Sequence, residues 1–372
     1  MSILRILCIL LGIGLALPHA SAQADSTRKR PPRKLGILPV PTFGYTPETR
    51  WYVGAVALFT LRHWADSTTR TSTAKAELSF TQNKQFVTEA GCNIFSRGER
   101  YNVEGVVGWR QFPEYWWGLG NAAPDSAREL YDARRTEADI RATRQVAPHV
   151  FAGLRYKLQH LSGLSGDPGS LVESVPFTGN AGGTASGIGP SINYDSRRNV
   201  LNPRAGTYLH LSTLAFQRWT GSQFNFVRTE LDFRHYFPLR KGRDVLAVQA
   251  YGLWSPGEPP FRLMGLLGSD RELRGYYQGR YRDHHYAAIQ AEYRLHIAWR
   301  IGMTGFAGIG DVFGPYSKRS PSTPTISLRT AKPSLGGGIR FMMDKKDQVN
   351  LRLDFAVGRQ STGFYIAFGE AF

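Results

Sequence analysis

The sequence predicts an all-β chain that closes into a transmembrane antiparallel β-barrel of about sixteen strands. Three observations carry the prediction. Short segments alternate apolar and polar residues with a period of two. The connections between them alternate between long and short. An export signal opens the chain, and beyond it no apolar run reaches the ~18 residues that a membrane-spanning helix needs.

The export signal is residues 1–22. Arg5 supplies the positive start, Ile6 to Leu17 the apolar stretch, and Ala20-Ser21-Ala22 the small-residue cleavage site. An uncleaved anchor is the alternative, but the apolar stretch is too short to span a bilayer. Residues 23–34 are basic, polar and Pro-containing and read as a short periplasmic linker. Residues 35–372 are the barrel. Cys8 falls in the signal, so Cys92 remains alone and no intrachain disulfide forms.

Taken in order, the strands are expected at 35–45, 51–61, 73–81, 85–95, 101–112, 130–143, 149–159 and 187–195. The second half supplies 206–214, 224–236, 244–254, 285–297, 302–313, 334–342, 348–357 and 363–372. At ~21 residues per strand with its connection, each has room for a tilted span and a turn. The alternation is clearest late in the chain. Val349, Leu351, Leu353, Phe355 and Val357 oppose Asn350, Arg352, Asp354 and Ala356. Ile289, Ala291, Tyr293 and Leu295 oppose Gln290, Glu292, Arg294 and His296. One face of each strand suits lipid and the other a wet lumen. The segment 224–236 slips phase once, which suggests a bulge or a strand end leaving the membrane.

The long links, 113–129, 160–186, 255–284 and 314–333, all follow odd-numbered strands. Membrane barrels carry short periplasmic turns and longer external loops. The parity therefore puts both termini in the periplasm. Aromatics gather near strand ends, at Trp51, Trp64, Tyr115, Trp116, Trp117, Trp219, Tyr236, Phe237 and Trp299, and are expected in the interfacial girdles.

Composition bounds the partners. Aromatics make up 12% of the chain, with 40 Gly and 17 Tyr, and the net charge is +17. A basic surface favours lipopolysaccharide phosphates, anionic lipid or anionic solutes. A basic lumen with basic turns accounts for the charge equally well. Nucleic acid is not an expected partner, and the barrel is expected to be monomeric. No cofactor is expected. Enzyme chemistry finds little support: there is no G-x-S-x-G elbow, and His160, Ser162 and Asp167 lie on a Gly-rich loop. His284-His285 lacks the further ligands of a metal site.

Four motifs, in order, resemble the BamA/TamA-type bacterial surface-antigen barrels. Asp195, Arg197 and Asn199, followed by Pro203 and Gly206, resemble the family's strand-turn signature, D-S-R-D-N then P-x-x-G. Arg274-Gly275-Tyr276 resembles its V-R-G-F/Y loop motif. Phe306 to Phe313 resembles its F-x-D-x-G-x-V-W strand, with Gly308 where an aspartate is usual. Phe368 and Phe372 resemble the C-terminal signal read by the barrel-assembly machinery. The resemblance covers about 36–372.

It implies that the loop between strands eleven and twelve folds into the barrel. There Arg274 would meet an acid on the inner wall, with Glu292 first choice, while Gly275 turns the backbone and Tyr276 packs on the wall. An external, solvated loop is the alternative. For the strand-turn residues, ordinary turn chemistry is the expected role. The resemblance also implies assistance to protein or lipid insertion or translocation. Family members carry periplasmic POTRA modules, whereas about a dozen residues precede the first strand here. This reads as a POTRA-less barrel whose clients would come from a separate periplasmic partner. A structural or anion-preferring pore protein without assembly activity is the alternative.

Overall fold

The structure is a computed structural model and describes residues 35–61, 69–70, 72–197, 199–200, 202–317, 329–344 and 348–372. The expected signal peptide and linker, and Trp64 of the girdle, lie outside the described residues.

Sixteen antiparallel strands form one closed barrel. They are β1 (Leu35–Thr46), β2 (Arg50–Leu61), β3 (Ser72–Thr81), β4 (Phe86–Phe95), β5 (Tyr101–Gln111), β6 (Glu129–Ala147), β7 (Val150–Gly166) and β8 (Gly183–Asp195). The second half is β9 (Gly206–Phe216), β10 (Phe226–Leu239), β11 (Asp244–Trp254), β12 (His285–Ala298), β13 (Ile301–Phe313), β14 (Lys332–Asp344), β15 (Val349–Gly358) and β16 (Ser361–Phe368). Each pairs with its neighbours in sequence, and β1 meets β16. With an even number of strands, the start of β1 and the end of β16 share one end of the barrel with the short turns.

Alternation sets the inside from the outside. On β12, Gln290, Glu292 and Arg294 are buried while Ile289 and Tyr293 are exposed. On β15, Asn350, Arg352 and Asp354 are buried while Phe355 and Val357 are exposed. Large apolar side chains outside and buried charges inside are the arrangement of a barrel in lipid. A soluble sandwich would invert it.

Three expectations need correction. Strands β6 and β7 exceed the expected 130–143 and 149–159: β6 runs down to the short turn, where Ala147 pairs with Val150, and β7 runs up as a ribbon with β6 to Tyr131↔Gly166 among the long loops. The last strand stops at Phe368 rather than running to Phe372: Gly369 has φ +83°, and the chain turns inward there. Trp116, Trp117 and Tyr236 are buried, not in girdles. Trp116 stacks on Phe177 at 4.8 Å and meets Phe261 edge-on, in a cluster formed by three long loops. Trp51, Trp219, Phe237 and Trp299 are exposed as a girdle requires.

The seam between β1 and β16 differs from every other junction. β1 pairs with β2 from Leu35↔Leu61 to Thr46↔Arg50, and β15 with β16 from Leu351↔Phe368 to Gly358↔Ser361. Between β1 and β16 the register among the described residues is Tyr45↔Ile366 alone. Aromatic edges meet across it: Phe43 against Phe368 at 6.0 Å and Tyr45 against Phe364 at 5.6 Å.

Candidate functional site: the loop docked on the inner wall

The link between β11 and β12, residues 255–284, contains a small hairpin, Gly265–Leu267 paired with Tyr281–Asp283. Its tip packs on the lumen-facing side chains of β12 to β16. Leu273 adopts φ +53°, an uncommon conformation for a residue with a side chain. The strain points Leu273 at β13, where its Cδ atoms lie over Gly308 and Gly310. A Cβ on Gly308 would come 3.1 Å from Leu273, so an aspartate there would meet the loop itself. Gly275 has φ +103°, and a Cβ would sit 3.1 Å from the β15 backbone at Val357 and Gly358. Glycine serves both the turn and the close approach.

Arg274 is fully buried. One arm reaches Glu292 on β12 at 2.5 Å, and the other reaches Asp354 on β15 at 2.6 Å. Its guanidinium carbon lies 3.4 Å from the centre of the Phe306 ring on β13. A planar fork can span two carboxylates on different strands while its face rests on an aromatic. The backbone is held as firmly. Gly275 N donates to Tyr365 Oη at 2.9 Å, and the Tyr276 hydroxyl donates to Pro333 O at 2.5 Å.

The pair sits in a larger charged network. Arg294 meets Glu292 at 2.7 Å, and Arg340 meets Asp354 at 2.5 Å and Glu370 at 2.8 Å. Arg352 meets Asp270 of the loop at 2.6 Å. Four guanidiniums thus face the buried Glu292, Asp354 and Glu370 and the partly exposed Asp270. Sequence reasoning named Arg274, Gly275, Tyr276 and Glu292, which the structure brings together. It did not name Asp354, Phe306, Arg340 or Glu370 as partners of the loop. Asp354 was legible as a lumen-facing residue, but which lumen acid the loop reaches depends on how deep it docks.

The strand-turn residues lie elsewhere, under the opposite end of the lumen. Asp195 pairs with Arg197 at 2.8 Å, and Asn199 Oδ1 accepts the backbone N–H of Asn202 at 3.1 Å. Gly206 turns with φ +104°. Pro203 O accepts a hydrogen bond from Arg294 at 3.2 Å, which ties this turn to the wall network. Phe368 is exposed at the seam, while Phe372 is buried beside Tyr236 and its carbonyl accepts from Arg294 at 2.8 Å. The two C-terminal phenylalanines therefore occupy opposite faces.

One further contact was missed. Glu48, on the β1–β2 turn, accepts the backbone N–H of Gln278 at 2.7 Å. Burial pushes this carboxyl up to about 7, and nearby Asp270 adds to the shift. The loop therefore touches β16 through Gly275 and the first hairpin through Gln278, and bridges the seam. Of the side chains considered for catalysis, His160 bonds Thr184 at 2.8 Å. Among the described residues, no group of three or more His, Cys, Asp and Glu side chains is placed to hold a metal.

Residues 64–372 match the Omp85 superfamily domain. Among solved structures the chain is similar to BamA from Haemophilus ducreyi lacking POTRA domains 1–3, with a TM-score of 0.60 at 13% identity over 90% of this chain and 70% of that one. It is similar to CdiB from Acinetobacter baumannii, with a TM-score of 0.56 at 13% identity over 90% of this chain and 60% of that one. CdiB from Escherichia coli gives 0.55 at 11% identity over 90% and 63%. The chain thus spans under two thirds of either CdiB. No curated protein matches it.

Proposed function

The chain belongs to the Omp85 superfamily, and from that premise we propose that it assists insertion or translocation of a protein or lipid client at the outer membrane, through the β1–β16 seam. The observation that carries this reading is the seam's pairing, Tyr45 opposite Ile366 and nothing further among the described residues. An incompletely paired edge is a template for another strand. Each ladder hydrogen bond contributes about 0.5–1.5 kcal/mol net, so parting this seam costs far less than parting any full junction. Pro39 and Pro41 share a parity on β1, so the missing N–H donors fall along one edge of that strand. The docked loop supports the reading as a strap that holds the seam shut until a client or partner shifts it.

In this reading the end with the short turns faces the periplasm, and both ends of the barrel segment lie there. The partners are outer-membrane lipid and lipopolysaccharide around the wall, the barrel-assembly machinery during biogenesis, and a separate periplasmic protein. The barrel acts as a monomer and without enzyme chemistry.

The test uses Tyr45→Cys with Ile366→Cys in a Cys92→Ser background, reconstituted in liposomes. The readout is the folding rate of a urea-unfolded outer-membrane barrel added as client. The reduced variant should accelerate folding, oxidation should abolish the acceleration, and reductant should restore it. A staple that forms and changes nothing would sink the seam as the working part. The net charge of +17 favours a second reading, an anion-preferring pore or structural barrel. Planar-bilayer conductance without client acceleration would put that reading first.

A further inference from the structure

At the end of the barrel with the short turns, the segments around Arg204, Arg243 and Arg300 surround a cleft of about 430 Å³, open mouth included. Its floor is the lower wall of the lumen, with Arg340, Asn350 and Glu370. The floor is electrically satisfied: Glu370 accepts from Arg340 at 2.8 Å and from Asn350 at 2.5 Å. The mouth is not. Arg204 donates to Gly242 O at 3.1 Å, and Arg300 to Met342 O at 3.2 Å and Met343 O at 3.0 Å. Both are held by backbone carbonyls. Among the residues whose side chains are described, which leaves out Asp344, Arg204, Arg243 and Arg300 form no ion pair. The Nε atoms of Arg204 and Arg300 are buried and have no acceptor.

A charged group taken out of water without a partner of opposite sign is costly. Two guanidiniums held by backbone carbonyls, with the exposed Arg243 beside them, make the mouth of the cleft positive. Arginine forks suit carboxylates. The three hang from separate turns, and apolar Val245, Leu295 and Met342 also line the cleft. A single phosphate offers no partner for those apolar walls. A peptide with spaced acidic residues matches both features. We propose that this cleft receives an acidic peptide segment of a partner protein. That the partner is periplasmic rests on the orientation proposed above.

The experiment uses the full chain in detergent and fluorescein-labelled hexaglutamate, with binding read by anisotropy. Wild type should bind, and Arg204→Gln with Arg300→Gln should weaken binding at least tenfold. Arg243→Glu, at an exposed position, should also weaken it while the heat-modifiable mobility of the barrel stays unchanged. Arg218→Gln, on a turn at the other end, should leave it intact. Equal loss with Arg218→Gln, or displacement of the peptide by equimolar inorganic phosphate, would overturn the assignment in favour of general charge attraction. Cysteine labelling separates this from orientation. If Arg243→Cys, in the Cys92→Ser background, is labelled from outside intact cells while hexaglutamate still binds, the cleft stands and the periplasmic orientation falls.

Discussion

Arg274 shows how one side chain can fix the position of a whole loop. It joins Glu292 on β12 to Asp354 on β15 while its face rests on Phe306. Arg274→Ala should destabilise the barrel by about 3 kcal/mol, the low end expected for breaking a buried pair, because Arg294 and Arg340 still face the abandoned acids. The check is urea denaturation followed by heat-modifiable mobility. Arg274→Lys should recover only part of the loss, since a point charge cannot reach both carboxylates as a fork does. Glu48 gives a pH prediction. Its carboxyl is raised from 4.5 to about 7 in the folded barrel. Between those values the unfolded chain has already released this proton and the folded chain still holds it. Stability from this group is therefore present in full below about pH 4.5 and is lost as pH rises through 7. Glu48→Gln keeps an oxygen for Gln278 and cannot ionise. The fall in unfolding temperature between pH 5 and pH 8 should be smaller in that variant than in wild type; an equal fall would remove Glu48 as its source.

Among the elements, β1 and β16 are the ones whose behaviour is not set by alternation. They meet at Tyr45↔Ile366 and by aromatic edges. The reason lies beyond β16. Gly369, at φ +83°, bends the chain off the wall, and Phe372 ends beside Tyr236, where Arg294 holds its carbonyl. Residues that could have continued the ladder are thereby spent inside the lumen. Gly369→Val would force a branched side chain into a left-handed conformation that costs a residue with a side chain roughly 1–2 kcal/mol. Its expected effect is a lower unfolding temperature, together with faster exchange of the residue 369 backbone amide, which donates to Asn350 O at 2.7 Å. Unchanged exchange would mean that the inward turn does not depend on glycine.

At the scale of the whole molecule, the docked loop fills the lumen beside β12 to β16, while Lys75 and Glu77 on β3 stay partly exposed. A barrel blocked on one side should conduct poorly, and Arg274→Ala should raise single-channel conductance in planar bilayers. No change in conductance would mean that the loop does not limit the pore. Much of this architecture was legible in the sequence. Alternation of side chains is local and exact in period, so sixteen strands, their order and their two faces could be read from residues such as Ile289 to Arg294 and Val349 to Val357. The Arg274-Gly275-Tyr276 tip was expected from the family resemblance, whereas the parity of loop lengths was legible for the same reason as the strands, as a property of neighbours along the chain. What pairs across the lumen was not. Glu292 could be proposed because it lies on the next strand, but Asp354 is 80 residues from Arg274. Its selection depends on how far the loop descends, which Leu273 over Gly308 and Tyr276 against Pro333 determine. Burial of Trp116 and Tyr236, the inward turn at Gly369 and the contact of Glu48 with Gln278 have the same origin. The sequence by itself determined which residues face inward and which outward; only the tertiary structure decided which inward residues meet, because that depends on distances across a closed barrel rather than on spacing along a strand.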